Sequence, residues 1–115
     1  MIAKVHDMQW MRGDTTRIGI SIAGLDGTPD ALTFSVKKYK TDTEYIIRKT
    51  LSNGIEPETA EEGLRYVVTI EPADTDELEF GEYYFDIQVT ANGVKQTTCG
   101  TLRIEREVTF AENEV

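Results

Sequence analysis

The chain has 115 residues, of which 12 are basic and 21 acidic, so its formal net charge is −9. This length suits a single domain, and the charge argues against binding to nucleic acid or anionic membranes, which require cationic surfaces. The single cysteine, Cys99, excludes an internal disulfide and a multi-thiolate metal site; we expect it in or beside a strand. No apolar segment reaches the roughly 20 residues of a membrane span.

Several segments in the first half of the chain alternate apolar and polar residues with a period of two, which is typical of half-buried strands. A first strand is expected within residues 4–11, with Trp10 as its largest core residue. Strands are also predicted at residues 17–22 and 32–37. A shorter and more exposed strand is predicted at residues 45–49.

The second half of the chain continues this pattern, with strands predicted at residues 64–70, 81–90 and 94–104. The last two are joined by Asn92-Gly93, a strong signal for a hairpin. The polar segment 52–63 is interpreted as a long loop. Pro72 is expected to open a short helical turn, because its fixed φ suits a first helical position.

About seven short strands without long crossover helices predict an all-β fold, an antiparallel β-sandwich of immunoglobulin-like arrangement. Residues 1–104 are assigned to this single domain, and residues 105–115 to an acidic C-terminal tail. Tyr83, at the start of the penultimate strand, is a candidate tyrosine corner. Its hydroxyl group is expected to bond back to the backbone of the preceding crossover.

The sequence contains no recognisable catalytic motif. There is no nucleophile elbow, no HExxH and no phosphate-binding loop. The only histidine, His6, is far from Cys99 in sequence, so no thiol–imidazole pair is indicated. We therefore expect no catalytic residue, no cofactor and no bound metal, and we interpret the protein as not an enzyme.

Two short motifs have a functional and a structural interpretation. Arg12-Gly13-Asp14 matches a tripeptide that adhesion receptors bind, but a turn between two strands is the favoured interpretation. Asp74 and Asp76 lie among other acids, which would suit calcium or a pair of glycosidase carboxylates. Their spacing does not match an EF-hand loop, and we favour a solvated acidic edge.

A small basic cluster, Lys37, Lys38 and Lys40, lies beside Tyr39 and Tyr45. Stacking on a nucleic-acid base is one interpretation, but the net charge opposes it. Lysines that protect the edge of a sheet against aggregation are the favoured interpretation.

Charge is distributed unevenly along the chain. Residues 1–54 hold 8 basic and 6 acidic residues, a net of +2, and residues 55–115 hold 4 basic and 15 acidic, a net of −11. This predicts a polarised surface, with an acidic end and a mildly basic region around residues 37–49. Such a molecule would stack head to tail on copies of itself or orient on a basic partner.

The candidate interaction surface consists of Tyr84, on the outer face of the penultimate strand, together with Val108 and Phe110 in the tail. These are large apolar or aromatic side chains at positions where the strand pattern does not require them in a core. They are expected to make contacts with protein partners rather than with nucleic acid or membrane.

Five segments carry a resemblance to a known family. They are Arg12-Gly13-Asp14-Thr15 ahead of an alternating strand, Ile70-Glu71-Pro72-Ala73-Asp74-Thr75, Gly81-Glu82-Tyr83-Tyr84-Phe85-Asp86-Ile87-Gln88-Val89, Gly100-Thr101-Leu102-Arg103-Ile104 and Val108-Thr109. Together they resemble the N-terminal domain of phage baseplate upper proteins and related phage or prophage tail components.

This resemblance implies a non-catalytic structural module of a phage or prophage particle, in the baseplate, the tail or a fibre attachment. The expected partners are other phage structural proteins and copies of the chain itself, and the expected location is the virion, after assembly in the bacterial cytoplasm. An alternative is an immunoglobulin-like adhesion or carbohydrate-binding module of a larger bacterial surface protein. In that case Trp10, Tyr45 and Tyr84 would offer aromatic platforms.

Overall fold

The computed structural model describes residues 2–5, 9–25, 27–60 and 63–105, and this part of the chain is all-β apart from one short helix. The strands are β1 (Ile2–Val5), β2 (Gln9–Met11), β3 (Thr16–Ala23), β4 (Ala31–Lys37), β5 (Ile47–Leu51), β6 (Gly54–Ala60), β7 (Gly63–Ile70), β8 (Gly81–Ala91) and β9 (Val94–Glu105). The helix α1 (Pro72–Thr75) lies between β7 and β8. The prediction of an all-β fold is therefore confirmed.

The nine strands form one mixed sheet in the order β1-β3-β7-β6-β5-β4-β8-β9-β2. Most neighbours are antiparallel, but β2 runs parallel to β9 and β5 runs parallel to β6. Because β1 also approaches β9, the sheet nearly closes into a barrel. The immunoglobulin-like antiparallel sandwich of about seven strands is thus not confirmed, since the described strands join into a single, partly parallel sheet.

The segment interpreted as a long loop, residues 52–63, contains β6, so that prediction is wrong. β6 pairs with β7 from Ile55 to Ala60, but it meets β5 only at Gly54 and Ile55. Beyond Ile55 the second edge of β6 has no ladder partner among the described strands, and a proline such as Pro57 is tolerated at such an edge. Its polar composition reflects this exposure rather than an irregular backbone.

The core is formed by alternate residues of the strands, as expected for a pleated sheet with one buried face. Along β8, burial alternates strictly from Tyr83 to Ala91. Trp10 is 1% exposed, and its ring centroid lies 6.1 Å from that of Phe34, which in turn lies 5.9 Å from that of Phe85. Trp10 therefore belongs to the core, as the sequence pattern predicts.

The β8–β9 hairpin fixes the register on which the candidate site depends. Asn92 and Gly93 both have positive φ, 53° and 77°, as a two-residue type I′ turn requires. The pairing then runs without interruption from Ala91 opposite Val94 to Gly81 opposite Ile104. The hairpin predicted from Asn-Gly is confirmed, and so is the short helical turn after Pro72.

Three connections meet at one end of the barrel. They are the β2–β3 turn (residues 12–15), the β4–β5 connection (residues 38–46) and the crossover from β7 to β8 (residues 71–80). This follows from the pairing, since β4 ends where β8 begins and β3 begins where β7 ends. The described part of the chain has no helix with the length and apolar composition that a membrane span requires.

Candidate functional site

A groove of about 400 Å³ crosses the face formed by β4, β8 and β9. Cross-strand pairing sets two rows of outward-facing residues across it. The first row is Ser35, Asp86 and Cys99, and the second is Lys37, Tyr84 and Thr101. Lys40, Phe85 and Gly100 complete the lining. The sheet surface therefore carries a carboxylate, a phenol, hydroxyl groups, an exposed thiol and the ammonium group of Lys37. The ammonium group of Lys40 lies over it from the β4–β5 connection.

Asp86 lies at the centre of the first row, and its side chain is half-buried. Its Oδ1 atom is buried and has no hydrogen-bond partner among the described residues. Burial raises the pKa of Asp86, although the charges of Lys37, Lys95 and Arg48 act in the opposite direction. A buried oxygen without a partner costs free energy. The groove is thus lined by a carboxylate with one buried oxygen that no described residue satisfies.

Cations around the groove contact aromatic rings. The Nζ atom of Lys40 lies 5.4 Å from the ring centroid of Tyr84, and that of Lys37 lies 5.0 Å from the ring centroid of Tyr45. The guanidinium carbon of Arg48 lies 5.6 Å from the Tyr45 centroid. Lys37, Lys40 and Arg48 form no ion pair with any of the described residues. In a chain of net charge −9, the groove is therefore a local positive region.

The interpretation of the lysine cluster as protection of a sheet edge is wrong. β4, which ends at Lys37, lies inside the sheet and hydrogen-bonds to β5 on one side and to β8 on the other. Lys38 and Lys40 follow in the β4–β5 connection, over the rings of Tyr83 and Tyr84. Of these two lysines, Lys40 lines the groove together with the ring that it covers.

The same connection carries a group of exposed apolar side chains. Tyr39 is 61% exposed, Ile46 is 43% exposed and Tyr45 is 38% exposed. Together with the neighbouring cations, they form an apolar and basic margin beside the groove. Side chains of this kind are enriched at the centres of protein–protein interfaces.

Tyr83 makes the hydrogen bond that the candidate tyrosine corner requires. Its hydroxyl group donates to the carbonyl oxygen of Glu79, at 2.7 Å. Burial and the charge of Glu79 raise the pKa of Tyr83, and its side chain is almost fully buried. Tyr83 thus ties the crossover to the start of β8 and is not part of an exposed binding surface.

The structure describes one of the three residues of the candidate interaction surface. Tyr84 is half-buried and lines the groove. Val108 and Phe110 lie outside the described residues, as does the tail beyond Glu105. Of the aromatic platforms considered for carbohydrate, Trp10 is excluded, because it is buried in the core.

The Arg12-Gly13-Asp14 turn is held against the crossover. The backbone N–H of Gly13 donates to Oγ1 of Thr75, at 2.8 Å. The guanidinium carbon of Arg12 lies 4.2 Å from the ring centroid of Phe80, and its NH1 group donates to the carbonyl oxygen of Leu78, at 3.4 Å. An arginine engaged in this way favours the structural interpretation of the tripeptide over receptor adhesion.

The acidic crossover is joined to the basic region rather than separated from it. The Nζ atom of Lys49 lies 2.9 Å from Oδ2 of Asp74, which also accepts a hydrogen bond from the N–H of Glu71, at 2.8 Å. The predicted acidic end and the mildly basic region of residues 37–49 are therefore in contact at this point. The described part of the chain contains no cluster of three or more side chains that could ligate a metal ion.

Sequence reasoning singled out Tyr84 but missed the side chains that give the groove its chemistry. Asp86 carried a signal, since a carboxylate in the middle of an aromatic, β-branched strand is unusual. Gly100 carried another, because a glycine within a strand often marks a close approach. Ser35, which is buried, gave none.

No protein-family model matches the chain, and no curated protein matches it significantly. The groove on β4, β8 and β9 is thus the feature of the described residues from which a function is inferred.

Proposed function

We propose that this chain is a non-catalytic assembly module of a phage or prophage particle, in the baseplate, the tail or a fibre attachment, acting through protein–protein contacts. The observation that supports this best is the groove. It combines a carboxylate oxygen that lacks a partner, cations outside ion pairs and the Tyr84 ring on a single sheet face. Such a mixture suits a polypeptide, which brings backbone N–H donors, carboxylates and apolar side chains together.

The contacts among the segments that carry the family resemblance also support this proposal. The residue 12–15 segment and the residue 70–75 segment meet through the hydrogen bond from Gly13 to Thr75. The residue 81–89 and residue 100–104 segments pair along β8 and β9, with Phe85 opposite Gly100. Segments that are far apart in sequence thus contact each other in pairs, as expected if they belong to one structural unit.

The proposed location is the virion, after assembly in the bacterial cytoplasm, and the proposed partners are other phage structural proteins and copies of this chain. The test is to induce particles from the source strain, purify them on a density gradient and quantify their proteins by mass spectrometry. The protein is expected to co-sediment with tail proteins at a fixed ratio. Intact particles without the protein would contradict the proposal.

A second candidate is an immunoglobulin-like adhesion or carbohydrate-binding module, with the barrel regarded as a distorted sandwich. Tyr45, exposed next to the groove that holds Asp86, favours it, because rings and carboxylates both contact sugars. Titration of the labelled protein with a glycan panel, followed by NMR, separates the two candidates. Saturable shifts at Tyr45 and Asp86 support the second, and unchanged spectra support the assembly module.

A further inference from the structure

We propose that the groove on β4, β8 and β9 receives the C-terminal segment, residues 106–115, of a second copy of this chain. This inference rests on the proposed function, because it names one partner of the same groove. It commits to a head-to-tail contact in which the groove of one copy binds the segment of the next.

Charge complementarity is the first argument. The C-terminal segment carries three glutamates and one arginine. The groove lining presents Lys37 and Lys40 against a single carboxylate, Asp86, and Arg48 lies beside it. These three cations form no ion pair among the described residues, although the margin also carries Asp42 and Glu44. In an acidic protein this is the surface that an acidic segment would meet with the least repulsion.

Apolar complementarity is the second argument. Between its glutamates the segment places Val108 and Phe110. The groove offers the ring of Tyr84 as its apolar surface, with the exposed Tyr39 and Tyr45 beside it. A large side chain anchored in a pocket and surrounded by charged contacts is the usual arrangement of a stable interface.

The unpartnered oxygen of Asp86 is the third argument. Oδ1 is buried and has no hydrogen-bond partner among the described residues, so a donor from the groove reaches it only when the surrounding side chains move. An extended segment carries a backbone N–H at every residue other than proline, and residues 106–115 contain no proline. Binding would therefore remove the cost of the unsatisfied acceptor.

The direction of β9 favours a second copy over the same one. The strand passes the groove at Cys99 and Thr101 and continues to Glu105, which is about 14 Å beyond Thr101 at the usual rise per residue. To enter its own groove, the segment that follows Glu105 would have to reverse direction, and the groove of a second copy imposes no such reversal. A contact between different surfaces of successive copies is heterologous, so it produces rings or open chains.

The experiment measures self-association of the full chain by sedimentation velocity over a range of concentrations. The groove variant is Lys37→Gln/Lys40→Gln, and the segment variant is Glu107→Gln/Glu112→Gln/Glu114→Gln. Each is expected to weaken association about tenfold or more, as the loss of several charged contacts implies. Raising the salt concentration is expected to act in the same direction on the unmodified chain.

The matched control is Arg17→Gln/Arg65→Gln, which makes the same change in charge around Glu58, on β3 and β7. It is expected to associate as the unmodified chain does. Equal losses in the control and the groove variant would overturn the proposal, and so would a monomeric unmodified chain at every concentration. Circular dichroism of each variant establishes that it is folded.

Mixing the two variants distinguishes a head-to-tail contact from other modes. The groove variant keeps its segment and the segment variant keeps its groove, so an equimolar mixture is expected to form heterodimers that do not extend into longer chains. A mixture that stays monomeric overturns the proposal.

Identification of the occupant uses Cys99 as a probe in the groove. The unmodified chain, labelled with ¹⁵N, is oxidised with an unlabelled Cys99→Ser/Thr109→Cys variant, which keeps Val108 and Phe110. A disulfide between Cys99 and position 109 is expected, joining labelled to unlabelled peptide. Its absence contradicts binding of the segment in the groove. The presence of the protein in purified particles is measured independently of this disulfide. Failure of the self-association proposal is therefore distinguishable from failure of the proposed role in a particle.

Discussion

The ring of Phe85 fills the space in which any residue larger than glycine at position 100 would place its Cβ atom. A Cβ built on Gly100 would lie 2.7 Å from two carbons of that ring. The two residues are directly opposite on β8 and β9, between the two rows of the groove. An aromatic ring thus packs over a cross-strand glycine of β9, next to the β8 positions of Asp86 and Tyr84.

Replacement of Gly100 by alanine is expected to destabilise the protein by about 1–3 kcal/mol, the usual cost of an overpacked core site. The ring or the strand must move, because the nearest contact is far inside the normal range. Urea denaturation measures the loss. In the background of Phe85→Leu, which removes the ring, the same alanine substitution is expected to cost less; an equal cost in both backgrounds would contradict the ring clash.

A second prediction concerns the contact between the β2–β3 turn and the crossover. Thr75 is buried, and its Oγ1 atom accepts the N–H of Gly13. Thr75→Val keeps the shape but leaves that N–H without its partner, so we expect a loss of about 1–3 kcal/mol in the free energy of unfolding. Thr75→Ser keeps the hydroxyl group and serves as the control. Faster hydrogen exchange at the Gly13 amide in the valine variant alone would locate the effect.

Local alternation was enough to predict the strands with one buried face. Tyr83, Phe85, Ile87 and Val89 follow the period of two and are all buried. β6 was missed because charged residues and Pro57 are acceptable where a strand has a free edge, and there the hydrophobic pattern disappears. The pairing of β2 with β9, at one edge of the sheet, joins Trp10 to Ile104. No local pattern encodes such a contact between the two ends of a chain.

The same limit applies to the site. The period of two along β8 predicted that Tyr84 points away from the core, and this prediction is confirmed. The environment of Asp86 depends on Ser35 and Cys99, which become its neighbours only through the register of three strands. Its burial could not be predicted without the order of those strands in the sheet.

A third prediction concerns pH. Burial raises the pKa of Asp86 in the folded protein above its ordinary value, so between those two values the folded state binds more protons than the unfolded state. The contribution of Asp86 to stability therefore falls as the pH rises through that window, and the penalty persists at neutral pH. Asp86→Asn is expected to be more stable than the unmodified chain at pH 7, with the difference shrinking toward pH 3. Urea denaturation across this range is the measurement, and parallel pH profiles for the two proteins would contradict it.

The last prediction concerns the ion pair between Lys49 and Asp74, which joins β5 to α1. Their side chains are 17% and 25% exposed, so the pair is screened less than a surface salt bridge. Lys49→Met is expected to cost about 1–3 kcal/mol, between the values for exposed and fully buried pairs. Asp74→Asn is expected to cost a similar amount, and the double variant less than the two losses together.

Thermal and urea unfolding of the unmodified chain, the two single variants and the double variant gives the coupling free energy between Lys49 and Asp74. Strictly additive losses would show that the contact contributes nothing, and Arg103→Gln, which disrupts the exposed pair with Glu105, provides the comparison with a surface bridge.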